Sequence, residues 1–157
     1  MKKDEHFMRQ ALAQAEKACK KGEVPVGAVL VSEDKILSRA YNQPLRWFDP
    51  TAHAEILAMR KASQKKKNYR LSHCDLFVTL EPCAMCLSAA VQARIRRLIF
   101  GAYDPKSGAV VSMMRFPLEK TNHRLEIRGG VLAEECGKVL KDFFKKKRQR
   151  KERWPSG

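Results

Sequence analysis

Acidic residues are scarce in this sequence. Seventeen Asp and Glu face 32 Lys and Arg, a formal net charge of +15 across 157 residues. Such a surplus favours a polyanionic partner, nucleic acid first and an anionic membrane second, and it carries no information about fold. Long apolar runs are missing too: 44% of residues are hydrophobic, an ordinary globular share, but no run approaches a membrane span. No export signal is expected, because Asp4, Glu5 and Arg9 interrupt any apolar stretch after Lys2 and Lys3. No disulfide framework is expected either. The five cysteines, Cys19, Cys74, Cys83, Cys86 and Cys136, are odd in number and mostly scattered, which suits reduced thiols in a cytoplasm. Repeats and linkers are absent, so the expectation is one domain over residues 1–150 with a disordered tail at 151–157.

What is present alternates between strand-like and helix-like segments. Phe7, Met8, Ala11, Leu12, Ala15 and Ala18 recur at helical spacing and Gly22 supplies a stop. "VGAVLVS" and "ILSRAY" read as a hairpin over about residues 26–41, and "NQPLRWFDPT" reads as loop by its prolines. A helix over residues 52–67, a strand over 75–80, a helix from Ala84, a strand over 97–101, a strand over about 125–128 and a helix from Ala133 complete the order. Strands alternating with helices predict an α/β layer fold, with the hairpin making the sheet mixed. The helix after Ala84 is apolar nearly all round, which places it at the centre of the domain or in a subunit interface.

Against this background two polar groupings stand out. "TAHAEI" carries His53 and Glu55 at one helix start, and "LEPCAMC" carries Cys83 and Cys86 at another. Residues three apart share a helical face, so the two cysteines can hold one ion, and a helix N-terminus favours the thiolate form that binds metal. Residues two apart do not share a face, which argues against both His53 and Glu55 being ligands. His53, Cys83 and Cys86 leave a fourth tetrahedral position open, the pattern of a catalytic zinc site. Two thiolates cancel the ion's formal charge, so a nearby general base would help to activate water, and Glu55 suits that task. Other readings stay open on spacing alone. A C-x-x-C at a strand-to-helix junction also describes a redox site, and His73 or Cys74 would be the fourth ligand of a structural zinc.

In these segments the sequence resembles the zinc-dependent cytidine and nucleobase deaminases, whose signature is H-A-E followed by P-C-x-x-C. The resemblance is closer to the bacterial tRNA adenosine deaminases and runs through "GEVPVGAVLV", "PTAHAEI", "VTLEPCAMC", "FGAYDPKSGA", "NHR", "GVLAEEC" and "DFF". It implies a cytidine deaminase-like three-layer α/β/α sandwich around a five-stranded mixed sheet, one zinc per subunit and a homodimer. It implies deamination of the wobble adenosine in the anticodon stem-loop of an arginine tRNA, with zinc on His53, Cys83 and Cys86 and Glu55 as proton shuttle. It assigns substrate contacts to Asn42, Val26, Asp104, Lys106, Asn122 and Phe143 or Phe144. By spacing alone Asn42 is a turn residue, Asp104–Pro105 a turn opener, Val26 a strand residue, and Phe143 and Phe144 a continued core stripe. Trp47, Phe48 and the stretch "RFPLEKT" depart from the expected polar pattern. The basic run Lys145–Arg153 reads either as a solvated helix end or as a phosphate-contacting arm.

Overall fold

Side chains on both faces of the central strands are buried, and that pattern sets the layers. A computed structural model describes residues 2–153. Helix α1 (Lys2–Lys20) leads into the hairpin β1 (Gly27–Ser32) and β2 (Lys35–Tyr41). A short α2 (Pro44–Trp47) and α3 (Ala54–Lys66) follow, then β3 (Cys74–Leu80), α4 (Ala84–Gln92), β4 (Arg97–Ala102), β5 (Glu126–Arg128) and α5 (Ala133–Arg153). The strands form one sheet in the order β2-β1-β3-β4-β5. β1 is antiparallel to β2 and β3, whereas β3, β4 and β5 are parallel, so the sheet is mixed as predicted.

Successive strand residues point to opposite faces. Ala28, Leu30, Leu76, Val78, Leu98 and Phe100 pack with residues of α3 and α4, among them Leu57, Ala58, Leu87 and Ala90. Val29, Val31, Phe77 and Ile99 pack with Phe7, Met8 and Ala11 of α1 and Cys136 of α5. The outcome is the three-layer α/β/α sandwich. α1 approaches β1 so closely that a Cβ on Gly27 would come 2.0 Å from the Ala11 carbonyl oxygen, so only glycine fits there. α1 stops where Gly22 predicts. Gly22 takes φ +78°, its N–H bonds the Cys19 carbonyl, and the Glu23 N–H reaches back to the Ala18 carbonyl.

One expectation is corrected. The loop over residues 42–51 contains α2, because Pro44 starts a helix: its missing N–H falls where the first turn has no partner to offer. α4 is not enclosed within the chain. Cys86, Leu87, Ala90 and Val91 are buried, but Ser88 and Gln92 are exposed and Ala84, Met85 and Ala89 are half-buried. The helix α5 runs to Arg153, and Lys, Arg, Gln and Glu are good helix formers. Residues 154–157 lie outside the described residues. Among the described residues no helix is long and apolar enough to cross a membrane.

Candidate metal centre

The topology brings distant segments to one end of the sheet. β3 and β4 finish there at Leu80 and Ala102, β2 finishes at Tyr41, and the antiparallel β1 begins there at Gly27. Val26, Asn42, Cys83 and Asp104 therefore all leave the sheet at the same end. His53 and Cys83 each occupy the position just before a helix, with extended backbone (φ −73°, ψ 152° and φ −79°, ψ 174°), and Cys86 lies in the first turn of α4. His53 Nδ1 is 3.7 Å from Cys83 Sγ and 3.5 Å from Cys86 Sγ, and the three donor atoms lie within 4.8 Å of one another. A tetrahedral zinc with bonds of about 2.0–2.3 Å separates an imidazole nitrogen from a thiolate by about 3.6 Å. The donors fit that ion. His73 and Cys74 sit at the far end of β3, outside the cluster, so neither completes a four-ligand structural site.

The electrostatics of the cluster suit a cation. The Cys86 thiol, with help from His53, lowers Cys83 to about 4 against the opposing effect of burial. Cys86 is pushed up by the same bond to Cys83 and by burial. The two shifts favour a thiolate at Cys83 beside a thiol at Cys86, and a metal bound by both sulfurs would displace that proton. The bond to Cys83 raises His53. Glu55 is 4% exposed, and burial raises its carboxyl, which meets the Cys86 sulfur, above the ordinary carboxylate range. A buried carboxyl that accepts a proton readily, next to three metal donors, has the properties of a general acid–base.

The remaining candidates divide. Asn42 is buried at the site end, and its Oδ1 accepts a hydrogen bond of 2.8 Å from the Ala54 N–H, the first residue of α3. It caps the helix that presents His53 and Glu55, and the His53 side chain at the cap position supplies no capping bond of its own. Val26 is 5% exposed, part of the core beneath the cluster, and its carbonyl accepts the Asn42 N–H. Asp104 spends its carboxylate on its own turn, accepting from the N–H groups of Lys106 and Ser107 and from Ser107 Oγ. Lys106 places its ammonium 5.9 Å from the ring centre of Phe144, which stacks edge-on with Phe143, so this loop and α5 meet beside the site. Phe144 is 38% exposed, and neither ring is fully buried. Asn122 is not brought to the cluster. It is exposed in the turn before β5, next to His123, whose ring bonds the Ile95 carbonyl at the opposite end of the sheet.

Two buried glutamates escaped the sequence reading. Glu23 is 2% exposed and accepts the N–H groups of Leu45 and Arg46, fixing the segment that leads into His53. Glu81 is likewise 2% exposed and gathers the N–H groups of Asp104, Val110, Val111 and Ser112. The available signal was a lone acid continuing the apolar run "DLFVTL" directly before Pro82.

With this geometry in view, comparison with known proteins is direct. A family model described as MafB19-like deaminase matches residues 2–148. A tRNA-specific adenosine deaminase of Haemophilus influenzae is 50% identical over 150 residues, 94% of this chain and 87% of the relative. One of Aquifex aeolicus is 47% identical over 92% of this chain and 95% of its own length. A solved structure from studies of A-to-I editing by tRNA:A34 deaminases at the wobble position of transfer RNA superimposes with TM-score 0.80 at 43% identity, covering 86% of this chain and 99% of that one. The H-A-E and P-C-x-x-C segments of this chain are the ones that build the three-donor cluster and its buried carboxyl. The chain belongs to the MafB19-like deaminase family by its family match and to the tRNA-specific adenosine deaminases by its relatives.

Proposed function

We propose that this chain hydrolyses adenosine to inosine at the wobble position of transfer RNA, with an arginine tRNA among its substrates and zinc as its metal. The observation that carries the reading is the meeting of His53, Cys83 and Cys86 with the buried carboxyl of Glu55, in a chain half identical to a tRNA-specific adenosine deaminase. His53 Nδ1 and the two sulfurs would hold the ion, which when bound supplies the Lewis acidity that activates water. Glu55 takes a proton from water, gives it to the adenine ring nitrogen, and then helps to protonate the leaving amine. The balance is adenosine and water in, inosine and ammonia out. Asn42 holds the start of α3 so that His53 and Glu55 keep their relative placement. A target base must leave its stack to reach the cluster, which requires an unpaired loop.

Several features support the wider reading. The excess of cations suits a phosphate backbone, and Lys106 with Phe143 and Phe144 offers charge and aromatic surface to splayed bases near the site. The open apolar side of α4, with Met85 and Ala89 half-buried, favours a homodimer. Residues 1–150 form the deaminase domain, and five free cysteines suit a cytoplasmic setting. The deciding experiment offers the metal-loaded protein an anticodon stem-loop with adenosine at the wobble position, the same adenosine in a stable duplex, and free adenosine, cytidine and guanine. Inosine and ammonia should appear from the stem-loop alone. Comparable turnover of a free base or nucleoside would replace RNA by a small molecule as substrate. Binding without any turnover would make the chain an RNA-binding subunit.

A further inference from the structure

The carboxylate of Glu81 lies two residues before the metal-donor Cys83 and is spent entirely on one loop. Its Oε1 accepts the Asp104 N–H at 3.1 Å and the Ser112 hydroxyl. Its Oε2 accepts the N–H groups of Val110, Val111 and Ser112 at 3.0, 2.9 and 3.1 Å. The neighbouring Pro82 carbonyl accepts the Ala109 N–H at 2.9 Å, and the Glu81 N–H is anchored on the Ala102 carbonyl at 2.8 Å. The strand-to-helix junction that delivers Cys83 is therefore also the template on which residues 104–112 fold. Gly108 completes the fit from the loop side: a Cβ there would lie 2.4 Å from Glu81 Cδ and 2.6 Å from the Asp104 carbonyl oxygen. Burying a carboxylate costs several kcal/mol unless its oxygens are satisfied, and here the donors of the loop satisfy both.

We propose that Glu81 is a positioning residue that holds the loop 104–112, and with it Lys106, in register with the metal centre, so that it governs how substrate is gripped. It touches neither substrate nor the reacting atoms. The turn at 104–108 is closed by Asp104, but the seating of the loop on the junction rests on Glu81, which accepts four of the loop's N–H groups. Lys106 lies in this loop, with its ammonium 5.9 Å from the centre of the Phe144 ring. This inference rests on the reading of the chain as an RNA deaminase.

The test uses the full metal-loaded chain and the variants Glu81→Gln, Glu81→Ala and Gly108→Ala, with the wobble-adenosine stem-loop as substrate. Glutamine keeps one acceptor oxygen for the trio of N–H groups but turns an amide donor toward Asp104, so its effect should be milder than that of alanine. KM should rise about tenfold or more in Glu81→Ala and Gly108→Ala, while kcat stays within about threefold and metal content is unchanged. Hydrogen exchange should accelerate at the amides of 104 and 110–112 and stay constant in β3 and β4. Combining Glu81→Ala with Gly108→Ala should add little, since both disrupt the same loop anchor. Unchanged KM with unchanged exchange overturns the proposal. So does a joint fall of kcat and metal content at constant KM, which would give Glu81 a general structural role. A wild-type chain inactive on the stem-loop would refute the RNA reading instead, and the exchange measurement would still decide whether Glu81 holds the loop.

Discussion

The two ends of the central strands treat their ionisable groups in opposite ways. At the end where β3 and β4 begin, the buried acids Asp4 and Asp75 are matched by arginine. Asp4 receives Arg97 at 2.8 Å and also Arg128, and Asp75 receives Arg96 at 2.7 Å and Arg97 at 3.3 Å. At the end where the strands finish, His53, Cys83, Cys86 and Glu55 converge with no arginine or lysine among them. The first arrangement is closed, each charge having its partner within the chain. The second gathers three donors that could hold a cation, and the bond between its two sulfurs, together with burial, shifts its groups in opposite directions. The difference separates what holds this fold from what it is for.

The sharpest way to break the comparison is to remove the carboxyl that meets the metal donors at the second end. Glu55→Ala should cut turnover by about 100–10,000-fold while metal content and RNA binding stay near wild type. Loss of metal together with activity would instead make Glu55 a ligand. Next in size is the donor set itself. Metal analysis of the wild-type chain should give about one zinc, and Cys83→Ser should lower that sharply. Full occupancy in the variant would remove Cys83 from the site.

The arginine-matched end should respond in stability and leave the metal untouched. Burial opposes ionisation of Asp4, but the bonds from Arg97 and Arg128 outweigh it and hold the carboxyl below its ordinary value of 3.8. A carboxyl with a depressed folded-state pKa binds its proton more readily when unfolded. Its contribution is thus present above the unfolded value of 3.8 and is lost as pH falls through the lower folded value. Asp4→Asn should cost about 1–3 kcal/mol at neutral pH, at the low end because Arg97 and Arg128 are partly solvated. Denaturant midpoints measured from pH 7 down to pH 2 should converge for variant and wild type below about pH 4. A constant gap across that range would mean that the ion pairs contribute nothing specific. Loss of zinc in Asp4→Asn would show that the two ends are not independent.

The sequence made the second end legible and the first nearly opaque, for a physical reason. Metal donors come from a few residue types, so His53, Cys83 and Cys86, with Glu55 two residues from His53 in an apolar run, stand out in a single chain. Ion pairs such as Asp4 with Arg97 join residues far apart in sequence, and nothing local marks them. The same holds for Glu23 and Glu81, whose acceptors serve N–H groups tens of residues away. The layers were legible because both faces of β1, β3 and β4 are apolar. α2 was missed because a proline at a helix start and a proline in a loop look alike from sequence. Asn122 was assigned by likeness alone, and the fold puts it at the opposite end from the cluster.

The smallest expected effect concerns the cations at the site end. Among the described residues Lys106, Lys145, Lys146, Lys147, Arg148 and Arg150 take part in no ion pair, in contrast to Arg96, Arg97 and Arg128. Lys147 instead places its ammonium 5.9 Å from the centre of the Phe143 ring, and Lys106 does the same at Phe144. A helix end needs only two or three cations to complement its dipole, and residues 145–153 carry seven. The surplus on α5 therefore favours phosphate contacts beside the aromatic pair. Deleting residues 145–157 removes that surplus and leaves every proposed metal donor and Glu55 in place. The stem-loop should then bind more weakly, and its logarithmic salt dependence should flatten by about 0.7 for each phosphate the tail had neutralised. Zinc content and turnover at saturating RNA should hold. An unchanged salt slope would make the tail a solubility feature and shift the RNA footprint to other basic segments such as Lys65, Lys66 and Lys67. It would also mean that cations left unpaired inside the chain do not, by themselves, mark where a polyanion binds.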